Sequence, residues 1–151
     1  MHGFSYAAFV CWLATCWAVP SVASQVTTTI DLDRLIACLE MKEGAPWHYA
    51  GGALQFTKAT WGDFSPYPYS WASQPDKARQ IARKALLLTI QRMQQSGITP
   101  SVWLLALRWN CGYAGMLRRM NHRWEYAEHV NNLYYDHDFF RTRIRRLLPP
   151  G

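Results

Sequence analysis

The central segment of this chain is Leu35-Ile36-Ala37-Cys38-Leu39-Glu40, and a glycine-rich run, Gly51-Gly52-Ala53-Leu54-Gln55-Phe56, follows a short loop later. The apolar residues of the first segment recur at the spacing of one helix face, so we expect an amphipathic helix that packs on the core. The hydroxyls of Thr27-Thr28-Thr29 would cap the start of such a helix, with Asp31 and Asp33 as acids of its first turn. The helix must end at Gly44-Ala45-Pro46.

Two carboxylates, Glu40 and Glu43, fall in the last turns of this helix. The helix dipole disfavours negative charge at a C-terminus, and a residue placed against its local preference is a hint of function. The glycine-rich run would let the backbone come close to whatever the carboxylate acts on. We therefore expect a functional acid at this helix end.

The remainder of the chain also has helical patterns, with no alternating strand pattern of convincing length. Further helices are expected near residues 57–61, 76–96, 99–107, 116–120 and 124–135. In the longest of these, Leu88 and Met93 belong to the expected buried face. Thr99-Pro100 would begin the next helix, whose apolar run at residues 103–107 predicts a buried central position. That helix should break at Asn110-Cys111-Gly112, and the fold class is mainly α.

The composition describes one globular domain, since half of the 151 residues are hydrophobic. The net charge is +6, and every Lys and Arg follows residue 33. A basic surface favours an anionic partner, which could be nucleic acid, a membrane surface or an acidic wall polymer. The cysteines form no C-x-x-C pair and the histidines lack ligand spacing, so we expect no metal site.

Residues 1–24 have the pattern of a secretory signal peptide. An apolar run at residues 4–19 is too short for a comfortable membrane span and ends at Pro20, before the small residues Val22-Ala23-Ser24. The run has no Lys or Arg before it, so a buried N-terminal helix or a membrane or lipid anchor remains the alternative. We expect a periplasmic or extracellular protein with a mature domain at residues 25–137 and a basic tail at residues 138–151.

Three sequence blocks, in order, resemble the lysozyme-like lytic transglycosylases, a family that includes the soluble lytic transglycosylase domain and the resuscitation-promoting factors. The blocks are residues 36–40, residues 51–56 with Thr60-Trp61 after them, and the segment Ala106-Leu107-Arg108-Trp109-Asn110-Cys111-Gly112-Tyr113-Ala114-Gly115. A weaker fourth block lies at residues 126–134. The resemblance implies a small orthogonal helical domain. It also implies that peptidoglycan glycan strands are cleaved to 1,6-anhydro-N-acetylmuramic acid ends, without cofactor, metal or nucleic acid, by a monomer.

The resemblance assigns the catalytic acid to Glu40 and leaves Glu43 as the rival. Met41 stands where the family usually has Ser after its Glu, and Arg108-Trp109 replaces a small residue and Tyr. Gly52, Gln55, Asn110 and Tyr126 would bind the substrate or orient the site. The alternatives are a turn-stabilising amide for Gln55, a helix C-cap for Asn110 and ordinary core packing for Tyr126. If the resembled fold holds, Cys38 and Cys111 converge and form a disulfide; two small buried thiols are the alternative.

The chemistry of glycoside cleavage limits the choices further. The leaving oxygen must be protonated by an acid whose pKa a dry, apolar site raises, and most glycosidases add a second carboxylate. The only acidic residues between Glu43 and Glu125 are Asp63 and Asp76. That favours a substrate-assisted reaction with Glu40 acting alone. Three other possibilities stay open: a hydrolytic muramidase in which Asp63 or Glu43 activates water, a non-catalytic wall-binding protein with the same fold, and a basic nucleic-acid or membrane binder.

Overall fold

The structure, a computed structural model, describes residues 29–44 and 51–136. These ranges contain α-helices and one short 3-10 helix, and no strand. The expected signal peptide at residues 1–24 and basic tail at residues 138–151 lie outside the described residues. No helix within the described ranges is long and apolar enough to cross a membrane.

The first helix, α1 (Leu32–Glu43), ends where its sequence indicates, but its N-cap is Asp31 and not one of the expected threonines. The Asp31 carboxylate caps it by accepting hydrogen bonds from the backbone N–H groups of Asp33 and Arg34, both at 3.0 Å. Gly44 ends it in the left-handed conformation, with φ 63°, and donates its N–H to the Glu40 carbonyl. Glu43 is therefore the last helical residue.

The remaining α-helices follow the predicted order: α2 (Lys58–Phe64), α3 (Pro75–Gln95), α4 (Val102–Arg119) and α5 (Glu125–Tyr135). A short 3-10 helix (Tyr69–Ser73), which was not predicted, lies between α2 and α3. Helix α4 is interrupted at Gly112, where φ is 72° and ψ is 172°, which confirms the predicted break. Its start was predicted wrongly at Thr99-Pro100. The Ser101 side chain caps it instead, by accepting from the backbone N–H of Leu104 at 3.2 Å.

The hydrophobic core lies among α1, α3, α4 and α5. Helix α5 packs against both α4 and α1, and α3 packs against α1 and α4. Fully buried side chains at the centre include Leu35, Leu39, Leu105 and Val130. Leu88 is 44% exposed, so its predicted burial was wrong. The mainly α fold is confirmed, and the lysozyme-like arrangement of its helices stays a prediction.

The glycine-rich run forms a tight turn between the end of α1 and the start of α2. The Phe56 N–H donates to the Gly51 carbonyl at 3.0 Å, and the Gln55 N–H donates to the Gly52 carbonyl at 3.1 Å. Gly51 has a φ of 86°, and a Cβ there would lie 2.4 Å from the Phe56 carbonyl oxygen. The turn directs Leu54 and Phe56 into the core, where Phe56 meets Trp61 edge to face. Only glycine fits the first position of this turn.

Candidate active site

A cleft of about 440 Å³ opens where the end of α1, the glycine turn, α2 and the break in α4 meet. Its lining is mixed, with amide, hydroxyl, charged and aromatic side chains. It consists of Glu43, Leu54, Gln55, Phe56, Thr57, Thr60, Asp63, Arg108, Trp109, Asn110, Gly112 and Tyr113. Of the predicted site residues, Gln55 and Asn110 lie in the lining, together with the rival acid Glu43. Glu40, Gly52 and Tyr126 do not.

Glu40 is held in an ion pair with α3. The Arg79 guanidinium donates from Nε to Oε1 of Glu40 at 2.6 Å and from its Nη2 atom to Oε2 at 3.0 Å. Glu40 is only 7% exposed, and the hydrogen bond to it raises the pKa of Arg79. Both carboxylate oxygens are therefore occupied by a permanent cation, which suits a structural tie and does not suit a proton donor.

Glu43 is the carboxylate at the cleft. One of its oxygens, Oε1, accepts a hydrogen bond from the Tyr126 hydroxyl at 2.6 Å. Among the residues that the structure describes, none donates to its other oxygen, Oε2. Residues three apart on a helix differ by about 60° around the axis. That rotation separates Glu43, at the cleft, from Glu40, at Arg79. The assignment of the acid to Glu40 stays a prediction, and Glu43 is the one of these two carboxylates that lines the cleft.

Tyr126 reaches across from α5 to orient this carboxylate. Its hydroxyl donates to Glu43, which lies three residues after the predicted acid Glu40. Burial, and then the hydrogen bond to Glu43, raises the pKa of Tyr126 well above its usual range. The Lys42 ammonium lies 5.8 Å from the centre of the Tyr126 ring. The phenol thus stays protonated at neutral pH and fixes one oxygen of Glu43.

If the chain has the wall-cleaving activity that its resemblance implies, replacing Tyr126 by Phe should lower the turnover number roughly tenfold, because the carboxylate loses the charge-assisted hydrogen bond that orients it. Tyr134→Phe is the matched control. The Tyr134 hydroxyl accepts from the Asp31 N–H at 2.8 Å, at the opposite end of α1. Steady-state rates of wall lysis, measured beside thermal unfolding, should show a kinetic loss for Tyr126→Phe and none for Tyr134→Phe. Equal rates for both variants would count against the orienting role.

Gln55 and Gly52 both shape the turn. The Gln55 side chain donates from Nε2 to the Gly52 carbonyl at 2.7 Å, although Gln55 also lines the cleft and is exposed. Gln55 has a φ of 50°, which is uncommon for a residue with a side chain. The side-chain hydrogen bond to Gly52 compensates this strained backbone. Gly52 acts through its carbonyl, and Gln55 serves the turn while it presents its amide oxygen at the cleft.

Asn110 lies in the lining immediately before the break in α4. Its Oδ1 atom accepts a hydrogen bond from the Trp124 indole N–H at 3.0 Å, which leaves the amide NH₂ as a donor for a ligand. The neighbouring Trp109 ring meets Phe56 edge to face at 5.3 Å. The helical stretch that ends at the Gly112 break thus brings the amide of Asn110 and the ring of Trp109 to the cleft, beside Phe56.

The disulfide that we expected between Cys38 and Cys111 is not formed in the structure. Cys38 is buried in α1, and the Cys111 thiol donates to the Leu107 carbonyl of its own helix at 3.0 Å. The Cys111 sulfur also lies close to where a Cβ on Gly115 would be, at 2.9 Å. The Cys111 thiol is therefore turned along α4, against Gly115, and no disulfide joins Cys111 to Cys38 in the described part of the chain.

Asp63 and Arg108 are lining residues of opposite charge. Asp63, which the hydrolase alternative would use to activate water, lies in the same cleft as Glu43. Arg108 was noted only as a departure from the family pattern, and nothing in its local sequence marked it as a cleft residue. Among the described residues, no cluster of His, Cys, Asp or Glu could hold a metal ion.

Comparison of the chain with protein-family models, with characterised proteins and with solved structures gives no match. The cleft brings a carboxylate with one fixed and one open oxygen next to amide, hydroxyl and aromatic groups. Proton transfer to and from a polar ligand is within the reach of these groups. What the site can do chemically therefore rests on its own residues.

Proposed function

We propose that this protein is a peptidoglycan lytic transglycosylase and that Glu43 is its acid and base. The observation that supports this most is the position of Glu43. It ends a helix at a cleft, Tyr126 fixes its Oε1, and its Oε2 has no donor among the described residues. A general acid needs this freedom, since it must reach the leaving oxygen of the substrate.

The lining of the cleft suits a sugar polymer. The partly exposed aromatic rings of Trp109 and Tyr113 can pack on the apolar faces of pyranose rings, and amides can bond hydroxyl and N-acetyl groups. The resemblance of three sequence blocks to lytic transglycosylases adds the substrate, which is the glycan strand of the wall. Together they favour cleavage of the β-1,4 bond between N-acetylmuramic acid and N-acetylglucosamine. Such an enzyme would act in the periplasm or outside the cell.

In the first step, Glu43 donates its proton to the glycosidic oxygen as the bond from that oxygen to C1 of the muramic acid breaks. The N-acetyl oxygen of the same sugar stabilises C1, so the protein does not need a second carboxylate for this step. Arg79 keeps Glu40 in its ion pair, apart from this proton transfer. Glu43 leaves the step as a carboxylate, which Tyr126 stabilises.

In the second step, the Glu43 carboxylate takes the proton of the C6 hydroxyl of the muramic acid. The C6 oxygen then bonds to C1 as the N-acetyl oxygen leaves C1, which closes the 1,6-anhydro ring and frees the N-acetyl group, and Glu43 regains the proton that it gave. No water enters the product. One carboxylate therefore completes the cycle.

A hydrolytic muramidase is the second candidate, and the position of Asp63 favours it. Asp63 lines the cleft that Glu43 lines, so two carboxylates are available there. Glycosidases that use two carboxylates activate water or form a covalent intermediate with the second one. If Asp63 serves in this way, the product gains a water.

Cleavage in heavy-oxygen water distinguishes the two candidates. We expect no label at the new muramic acid ends, and we expect Asp63→Asn to retain most of the activity. Asp76→Asn is the matched control, because Asp76 lies in the first turn of α3 and outside the lining. Labelled reducing ends, with a loss of at least about a hundredfold for Asp63→Asn alone, would establish the hydrolase instead.

A further inference from the structure

Arg108 is a charged residue of the cleft that the proposed reaction does not use. Its Nε atom is buried and has no hydrogen-bond partner, and no ion pair to its guanidinium is formed among the described residues. The guanidinium instead lies over the Phe64 ring, 5.3 Å from its centre. A buried donor without an acceptor costs stability, and the Nε–H of Arg108 is such a donor.

The surroundings of Arg108 hold charges of both signs. Burial lowers the pKa of Arg108, the negative charge of Asp63 raises it, and the positive charge of Arg92 lowers it by less than Asp63 raises it. Arg92 itself lies 4.0 Å from the centre of the ring of Tyr113, another lining residue. Asp63 is exposed and forms no ion pair with Arg108. This end of the cleft therefore has two guanidinium groups beside one carboxylate, and the Nε–H of Arg108 is without an acceptor.

We propose that Arg108 forms an anion subsite of the cleft that binds a carboxylate carried by the muramic acid residue of the glycan. The inference rests on the proposed function, because that function supplies the muramic acid. The planar guanidinium has five donors and matches a carboxylate with two parallel hydrogen bonds. The carboxylate is either the lactyl group of a sugar without a peptide or a carboxylate of the stem peptide.

Binding to defined tetrasaccharides tests this subsite in the full-length Glu43→Gln variant, in which the ligands stay intact. The ligands are an N-acetylglucosamine–N-acetylmuramic acid tetrasaccharide with free lactyl groups, the same glycan with stem peptides, and a neutral N-acetylglucosamine tetramer. We expect at least one carboxylate ligand to bind roughly tenfold more tightly than the neutral tetramer. Tighter binding of the free-lactyl glycan assigns the carboxylate to the lactyl group, and tighter binding of the glycan with stem peptides assigns it to the peptide.

Adding Arg108→Met should remove this advantage, while Arg118→Met should keep it. Arg118 is an exposed arginine of the same helix that does not line the cleft. The melting temperature should stay equal or rise in Arg108→Met, since an apolar chain of similar length replaces an unsatisfied charge. If that variant folds poorly, Arg108→Lys, which keeps the charge and loses the planar donor pair, should still reduce the advantage.

Three results would overturn the subsite: an equal affinity for charged and neutral saccharides, an advantage that survives in the Arg108 variants, or a large stability loss in Arg108→Met together with full binding by Arg108→Lys. The proposed function fails differently. A Glu43→Gln protein that cleaves the glycan at the wild-type rate would overturn the acid assignment, whatever the effect of Arg108 on affinity. Absence of binding to all three saccharides would overturn both proposals.

Discussion

Replacing Glu43 by Gln should lower the rate of peptidoglycan cleavage by roughly a hundredfold to ten-thousandfold. Gln has nearly the same shape and can still accept from the Tyr126 hydroxyl, which lies 2.6 Å from the carboxylate, but it has no proton to give. Because the fold does not depend on an ion pair of Glu43, the melting temperature should change little. Turbidity clearance of purified walls and thermal unfolding measure the two quantities.

Glu40→Gln is the matched control, since it makes the same chemical change three residues earlier on the same helix. It breaks the charge pair with Arg79, whose side chain is 47% exposed, so we expect a stability loss of about 1–2 kcal/mol. The cleavage rate per folded molecule should stay within a few-fold of wild type. A Glu40→Gln protein that folds but does not cleave, beside an active Glu43→Gln protein, would return the catalytic role to Glu40.

Replacing Gly51 by Ala should destabilise the fold by about 2–4 kcal/mol and reduce cleavage in the molecules that remain folded. Gly51 has a φ of 86°, and the added Cβ would lie 2.4 Å from the carbonyl oxygen of Phe56. That oxygen also accepts a hydrogen bond from the Tyr69 hydroxyl at 2.6 Å, so it cannot move without loss. Chemical denaturation with urea measures the change in unfolding free energy.

Gly97→Ala controls for backbone strain alone. Gly97 also has a positive φ, 70°, but nothing lies within 4 Å of the position that an added Cβ would take. We expect a loss of about 1 kcal/mol there and no change in cleavage per folded molecule. Equal losses at Gly51 and Gly97 would show that the collision with Phe56 does not matter to the turn.

The helices could be predicted from the sequence because their signals are local. Apolar spacing, the Asp31 cap and the Gly44 stop fix α1 within its own segment. The break at Gly112 was likewise visible, since glycine there permits the φ of 72° that ends one helical stretch and starts the next. The exposure of Leu88, which we expected to be buried, could not be predicted this way. It lies at the border of the apolar face of α3, and only the packing of neighbouring helices decides which border residues are covered.

The choice between Glu40 and Glu43 could not be made from the sequence for a related reason. Both acids lie in the last turns of α1, on nearly the same side. What separates them is a partner far away in the chain, because Arg79 on α3 binds one and Tyr126 on α5 binds the other. Neither contact leaves a local pattern. The sequence indicated the helix end, and tertiary packing gives each of its two carboxylates a different partner.

The disulfide and the anion subsite could not be judged from the sequence for the same reason, because both depend on contacts between distant residues. Cys38 and Cys111 were expected to pair because their segments should converge, but the direction of the Cys111 side chain depends on Gly115, which accommodates its sulfur. Arg108 was recognised in the sequence only as a departure from a motif. The proposed role depends on its position over the Phe64 ring and on its buried Nε atom, which has no hydrogen-bond partner. Residue types could be read in advance, whereas side-chain directions and unsatisfied groups required the packed structure.

The masses of the fragments that the protein releases from purified peptidoglycan test the central claim most directly. If Glu43 acts alone as acid and base, the wild-type digest contains 1,6-anhydro-muropeptides, each one water lighter than its reducing counterpart. Glu40→Gln then gives the same products, and Glu43→Gln gives almost none. Reducing ends in the wild-type digest, or anhydro ends released at an unchanged rate by Glu43→Gln, would contradict the account.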